Sequence, residues 1–497
     1  MNRSRDNWHT HGEPNWPDGR KAGDRYGSCQ CALRSLRTAF IGIVALVLGT
    51  VVLGQDSHAR MPDDRNRDAQ WRDRGDDGEV YMRSSPRARH RDPATRRKRI
   101  IIPHREAVDA PCMSIEASAR LKAAYDRWIA DPNTSRRYIA NRNGDGVLAN
   151  NEPEVAESLI TMYSATGDIT YLHEAATHAL TILKLRDDFT GHPDYSGRAR
   201  PVWSTTNPKY VNAGRPFGFL GESAWLSFPM AYFAWTVRTN PSVQAIPHAS
   251  GQSLAELADR FLLEIEKTID HHAPDWHTDH KHEHPIGYYT TSTDFSDAVG
   301  LRPGAIEPMN FQSSMGRLLA MLYLATGHQG YLRQAQHLAA FLLYDLRYIP
   351  KMDSYQWGYW PRTPYYPNRV RSHANADDLS HAGLSVDFME MMARHRLGIF
   401  GPLEMRRLTN TFLRNLYRGR VGVFAARVDG GDGRAHVGHL GRFVSLNRWS
   451  RRVASILNET LLRSASDRYP SSTLVLLGTA RLLAGSDGVS EVPRACS

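Results

Sequence analysis

The chain has 497 residues, with 62 Lys and Arg against 52 Asp and Glu, a formal charge of +10. The length allows one large domain or two, and the charge would suggest a nucleic-acid partner if it were spread over the folded part. It is not. Residues 1–106 hold 21 Lys and Arg against 14 Asp and Glu, and the remainder is close to balance at 41 against 38. With no zinc-finger, RNP or P-loop pattern in the sequence, a nucleic-acid partner is not expected.

Residues 1–38 are polar and rich in Gly and Pro, and lead into the uncharged run AFIGIVALVLGTVVLG at 39–54. That run is long for the core of a signal peptide and short for a spanning helix. Ser57-His58-Ala59 supplies small residues for a cleavage site. Residues 39–59 are therefore read as a signal peptide or membrane anchor. Everything after them is expected to be exported, periplasmic or extracellular, and inner-membrane anchored if the run is uncleaved. Residues 60–106 alternate Arg with Asp and carry few large apolar groups, so they cannot bury enough surface to fold and read as a disordered linker. Cys112 and Cys496 bracket the rest of the chain, its globular part. In an oxidising compartment they either pair or stay as two separate thiols.

From residue 107 onward the apolar residues recur at helical spacing, with almost no sustained strand alternation. Tyr163 to Leu183 and Tyr323 to Leu343 share the pattern Tyr-x-Ala-Thr-Gly-x3-Tyr-Leu-x2-Ala-x3-Ala-x3-Leu. A glycine just past one apolar helix and a short link to the next describe an antiparallel helical hairpin. The first helix of each pair is apolar nearly all round and the second is more amphipathic, as the inner and outer layers of a helical toroid require. Further pairs are predicted at 222–237 with 252–270, 380–396 with 402–417, and 447–465 with 471–485, with a helix at 115–130 closing the ring. The inner helices are expected at 153–166, 222–237, 311–326 and 380–396. Irregular loops are expected at 186–221, 271–310, 345–378 and 418–446, too long and uneven for a TPR-like or HEAT-like solenoid.

The hairpin YSATGDITYLHEA…ILKLRDD, its second copy around MNFQSSMGRLLAMLYLATG, and the segment YQWGYW…DDLSHAGLSVDF together resemble the six-hairpin (α/α) toroid superfamily. That superfamily includes polysaccharide lyases acting on uronates, glucuronyl C5-epimerases and several glycoside hydrolases. The resemblance spans roughly 115–485 and implies an all-α fold of (α/α)6 type over 107–497. It also implies a carbohydrate-active enzyme on an acidic, uronate-containing polysaccharide, with β-elimination as the leading reaction. A glycoside hydrolase, a uronate C5-epimerase and a catalytically inactive polysaccharide-binding toroid are the alternatives, since one toroid hosts several chemistries.

The stretch from Tyr355 to Met392 concentrates the candidate chemistry. Removing the proton next to a uronate carboxylate needs donors that neutralise the carboxylate, a base, and an acid for the leaving oxygen. His381, in the first turn of a predicted helix that Asp378 or Ser380 would cap, is the candidate base, and a helix N-terminus disfavours its charged form. Tyr359 is the candidate acid, with Tyr288 the second choice. Asn310 and Arg362 are the candidate neutralising groups. Trp357, Trp360 and Tyr288 would stack on sugar rings, while Arg369 and Arg371 would grip carboxylates. Each also has a plainer use, as helix cap, packed aromatic or solvated loop cation. A hydrolase would instead need two separated carboxylates, such as Asp378 with Glu222 or Glu307.

Two further stretches resemble metal sites. HHAPDWHTDHKHEH at 271–284 holds six histidines, but without the helical HxxxH or HExxH spacing it reads as a charged loop near the active site. In NRNGDGVLANNE at 141–152, Asn141, Asn143, Asp145 and Glu152 stand at positions 1, 3, 5 and 12 of a calcium-loop template. The plainer reading is a turn entering the next helix. No cofactor is required by the expected chemistry, and calcium at this loop is the one candidate.

Overall fold

The structure, a computed structural model, describes residues 113–140, 142–299, 302–362, 376–431 and 433–485. All lie in the second of the chain's two units, 97–497. The expectations for the N-terminal run, the linker, Cys112, Cys496, Asn141, Arg369 and Arg371 fall outside the described residues.

Eleven α-helices carry the fold: α1 (Ile115–Ala130), α2 (Val147–Thr166), α3 (Ile169–Lys184), α4 (Leu220–Thr239), α5 (Leu254–His272), α6 (Met309–Thr326), α7 (Gln329–Asp345), α8 (Leu379–Arg394), α9 (Pro402–Asn410), α10 (Arg451–Ser464) and α11 (Thr473–Leu483). A long 3₁₀ segment, Val437–Trp449, completes the set. Packing closes a ring: α2 on α4, α4 on α6, α6 on α8, α8 on the 3₁₀ segment, that segment on α11, and α11 back on α2. Outside this ring α3, α5, α7, α9 and α10 cover the element that precedes each, and α1 lies against α11. Six inner and six outer elements form an all-α (α/α)6 toroid. No helix among the described residues is long and apolar enough to cross a membrane.

The local chemistry of the repeated hairpin explains its turns. Gly167 and Gly327 sit at φ 70° and 74°, where a side chain would be strained, and donate their N–H groups to Tyr163 and Tyr323. Asp168 then caps α3 through the Thr170 N–H. The four expected inner helices all lie on the inner ring. The last pair is different. Residues 451–464 form an outer helix and 473–483 an inner one, while the fifth inner element begins within the stretch expected to be irregular, 418–446. Its apolar residues, Val437, Leu440, Phe443, Leu446 and Trp449, recur every third position. That is the 3₁₀ period, so a search for 3.6-residue spacing passes over it.

The loops before the inner helices carry two small antiparallel hairpins. They are β1 (Trp276–Asp279) with β2 (Ile286–Tyr289), and β3 (Arg347–Ile349) with β4 (Ser354–Gln356). Long loops lead into the inner helices and short ones lead out, so functional loops gather where the inner N-termini lie. The parallel run of those helices is visible where Ser313 of α6 donates to Ser385 of α8 at 3.1 Å, both within the first two turns of their helices.

Where the ring is tightest, Gly441 meets α11 backbone to backbone. A Cβ on Gly441 would stand 1.8 Å from the Leu474 carbonyl oxygen. Gly441→Ala should therefore lower stability by at least the ~1–3 kcal/mol typical of overpacking, read as a shift in the denaturant midpoint. An unchanged midpoint would show that the 3₁₀ segment does not pack as described.

Candidate active site

Helix α8 organises the site. Asp378 is its N-cap, accepting the N–H groups of Ser380 at 2.9 Å and His381 at 3.3 Å and the Ser380 hydroxyl at 2.5 Å. Its other oxygen faces Nδ1 of His381 at 2.6 Å. Nε2 is left as the ring nitrogen open to other partners, and the imidazole is about a third exposed. Burial works against the imidazolium, yet the hydrogen bond to Asp378 and the Asp378 charge outweigh it and hold His381 above 6.5. The expectation that the helix terminus keeps this histidine neutral is thus corrected. The capping carboxylate cancels the positive end of the helix and favours the proton.

Asp377, one residue earlier, behaves in the opposite way. Its backbone is fastened on both sides, N–H to the Trp357 carbonyl and C=O from the Val428 N–H. Its side chain is fully buried, with Oδ2 accepting the Trp357 indole N–H at 3.1 Å. Oδ1 has no hydrogen-bond partner among the described residues. Burial, with the Asp378 charge adding to it, pushes this carboxyl up to about 8, so it is neutral at pH 7. Adjacent aspartates have been sorted into an acid and a carboxylate.

Tyr359 stands edge-on to His381, ring centres 4.9 Å apart. Burial first, then Tyr210, Asp377 and Glu307, raise its phenol well above 10, so it is a donor and not a base. Its carbonyl accepts the first N–H of α6, from Met309. Glu307, just before α6, is buried and raised to about 8, with Thr291 on one oxygen and the other without a hydrogen-bond partner among the described residues. Asp275 at the base of the β1–β2 hairpin, itself raised to about 6 by burial and Asp294, adds to that shift. Asn310 lies in the first turn of α6, one turn above the Ser313–Ser385 contact. It is buried, and neither side-chain atom has a hydrogen-bond partner among the described residues. It is not a cap, since Pro308 holds that position.

Other sequence candidates are placed elsewhere. Arg362 is exposed and turned to the end of α7, its guanidinium on the Asp345 carbonyl and its N–H on the Asp345 carboxylate at 2.5 Å. It is not a neutralising group for this cluster. Trp357 is buried as the donor to Asp377, so its face is not available for stacking on a sugar. Trp360 is half-buried with its edge on Tyr359. Tyr288 packs on His277 and on Phe341 of α7.

Among the described residues of the 141–152 stretch, the candidate ligand side chains have other partners. Asn143 donates to the Trp203 carbonyl and to Glu222 at 2.8 Å, and accepts the Ala149 N–H. Asp145 accepts the Val147 N–H. Glu152 is buried in α2 against His178. Asn143 and Glu152 thus commit their side chains to different partners, as the plainer turn reading requires. The group with metal-ligand spacing among the described residues is Asp377, Asp378 and His381, whose ligand atoms fall within 4.8 Å of one another. Asp378 and His381 already share a hydrogen bond.

No protein-family model matches this sequence, and no curated protein matches it. Solved structures of similar outline include the GH76A α-1,6-mannanase from Salegentibacter sp. HEL1_6, at 13% identity over 75% of this chain and 98% of that one, TM-score 0.43. Cellobiose 2-epimerase from Spirochaeta thermophila DSM 6192 matches at 14% identity, 74% and 96% coverage and TM-score 0.45. D-mannose isomerase matches at 12% identity, 74% and 96% coverage and TM-score 0.43. These are likenesses of outline, and the chemistry of the site rests on this chain's own side chains.

Glu222, in the first turn of α4, is a third neutral carboxyl at this end of the ring, raised by burial to about 8 despite the Asn143 bond. A carboxyl raised in the folded state stabilises fully below its unfolded pKa of about 4.5 and loses that contribution as pH rises through its folded value. The contribution of Glu222 to stability should therefore fall between about pH 4.5 and 8, and the melting temperature of Glu222→Gln relative to wild type should rise over that range by the worth of one titrating group. A variant with the wild-type slope would mean that Glu222 titrates normally.

Proposed function

We propose that this chain is a carbohydrate-active enzyme that works by proton transfer. In this reading His381 removes the proton next to the carboxylate of a uronate residue in an acidic polysaccharide, and the β-linked sugar leaves. The observation that carries it is the Asp378–His381 pair. A helix-capping carboxylate fixes Nδ1, fixes the ring's orientation and strengthens Nε2 as a base. The Tyr359 phenol, a neutral donor, stands beside it. Tyr359 is placed to return a proton to the leaving oxygen, and the uncommitted atoms of Asn310, Glu307 and Asp377 can meet the charge that builds on the substrate carboxylate. The helical ring holds α6 and α8 side by side, so base and donors keep their spacing.

Glycoside hydrolysis is the second reading, favoured by an ionised Asp378 and a protonated Glu307 that both act on Tyr359, the separated acid and carboxylate that reaction uses. Against it, Asp378 already accepts four hydrogen bonds, and Asp377 and Glu307 are neutral. None of the three carboxyls acting on Tyr359 is both ionised and free.

Export, and attachment to a membrane through residues 39–59, remain part of the proposal, as does the absence of a required cofactor. Incubating the full chain with a panel of polyuronates separates the outcomes. An unsaturated product absorbing in the ultraviolet marks elimination. Solvent deuterium entering the sugar without that absorbance marks epimerisation, and new reducing ends alone mark hydrolysis. Under the proposal, His381→Gln lowers turnover by about 10²-fold or more. The base must be neutral to act, so activity rises with pH through a value above 6.5. Asp378→Asn should move that limb to lower pH while lowering the rate. A folded His381→Gln protein with full activity would remove the assignment.

A further inference from the structure

We propose that the opposite end of the ring holds a second binding site, separate from the His381 cluster, for a neutral mono- or disaccharide. Along α4, Trp225, Phe228, Tyr232 and Trp235 fall at i, i+3, i+7 and i+10, one stripe of a helix. Phe228 and Tyr232 face a cavity at the C-terminal end of the ring of about 700 Å³, counting its open mouth. All six inner elements line it, among them Thr161 and Ser164 of α2, Met321 of α6, Arg394 of α8, Ser445 of the 3₁₀ segment and Arg481 of α11. Arg394 is thirteen residues beyond His381 on α8, which puts the two roughly 20 Å apart along the axis.

The lining has the chemistry of a sugar site. Tyr232 lies 6.0 Å from Phe228 and 5.9 Å from Trp235, stacked on the latter; Phe228 already carries the Arg317 guanidinium on its ring, so Tyr232 is the aromatic of this wall that would meet the C–H face of a pyranose. Opposite stand charged groups with hydrogen-bonding capacity left over. Nε of Arg317 is buried with no hydrogen-bond partner among the described residues, and Nε of Arg394, ion-paired with Glu390 at 3.7 Å, makes no hydrogen bond among them either. Ser164 and Thr161 spend their protons on backbone carbonyls one turn back, which leaves their oxygens free to accept. Charge selects the ligand class. Arg317, Arg394 and Arg481 face Glu157, Asp387 and Glu390, three against three. An anion would upset that balance at an end where the C-termini of the inner helices already supply negative potential, whereas a polyol can both donate to the carboxylates and accept from the arginines.

The test uses the full chain and saturation-transfer NMR with D-glucose, D-galactose, D-mannose, maltose and, as the charged control, D-glucuronate. At least one neutral sugar should bind, with affinity reduced tenfold or more in Tyr232→Ala and abolished in Ser164→Trp, which fills the cavity. His381→Gln should bind the same sugar as well as wild type. Circular dichroism confirms folding, and if Ser164→Trp does not fold, Tyr232→Ala with Thr161→Val decides. Four results would overturn the proposal: no neutral sugar binding, binding indifferent to the cavity variants, binding lost with His381, or preference for D-glucuronate. The first three say nothing against His381 as a base, whose test is catalytic, so the two readings fail separately.

Discussion

The inner ring is held about an axis of charge. Arg317 pairs with Glu157 at 2.5 Å and 3.0 Å, Arg481 bridges Glu157 and Asp387 at 2.8 Å and 2.7 Å, and Arg442 joins Asp387 to Glu154 at 2.8 Å and 2.6 Å. These six side chains come from α2, α6, α8, the 3₁₀ segment and α11. The sixth inner element, α4, enters through Phe228, whose ring lies 3.5 Å from the Arg317 guanidinium. Burial alone would neutralise the acids, but Arg317 and Arg481 pull Glu157 down to about 2, and the arginines hold Asp387 lower still. Such a network is costly to desolvate, and removing one member strands its partners. Breaking a buried pair costs about 3–5 kcal/mol, which makes registry its main contribution. Long charged side chains can cross the axis of a six-membered ring where short aliphatic ones would leave voids, and the apolar core is left to the space between inner and outer helices.

With the helices so fixed, the N-terminal mouth can use burial to sort protons. Glu222 and Glu307 are neutral because they are dry and lack a cation, and Asp377 because burial and the Asp378 charge outweigh His381, whereas Asp378 stays charged because it caps a helix and holds His381. One backbone step separates an acid from a carboxylate, and the difference is side-chain direction. Asp377 points under Trp357 and Asp378 points along α8. The same principle, applied at the axis, gives ionised acids where two or more arginines converge, at Glu157 and Asp387, whereas Glu154, on Arg442 alone, is still pushed up to about 7 by burial.

Much of this was legible in the residues. Glycine at 167 and 327, with the matched tyrosines and alanines around them, specifies a hairpin twice, and two hairpins of one kind 160 residues apart imply a ring or solenoid. Asp378 three residues before His381 is a cap spacing, and capping brings the two side chains together without help from the rest of the chain. The 3₁₀ segment was hidden by its period of three and by Gly441, which exists for contact with α11.

What the sequence determined by itself was therefore local: turns, caps, the inner and outer character of helices, and the Asp378–His381 pair, all set by groups within one or two helical turns. Partnership over long distance was decided only by the tertiary structure. Arg362 reads as a substrate cation until the fold turns it to Asp345, and Trp357 as a stacking face until burial makes it a hydrogen-bond donor to Asp377. Glu152 reads as a metal ligand until α3 brings His178 against it. Protonation belongs to the same class, because a carboxyl's charge depends on the water and cations around it, and those are supplied by residues that can lie anywhere in the chain.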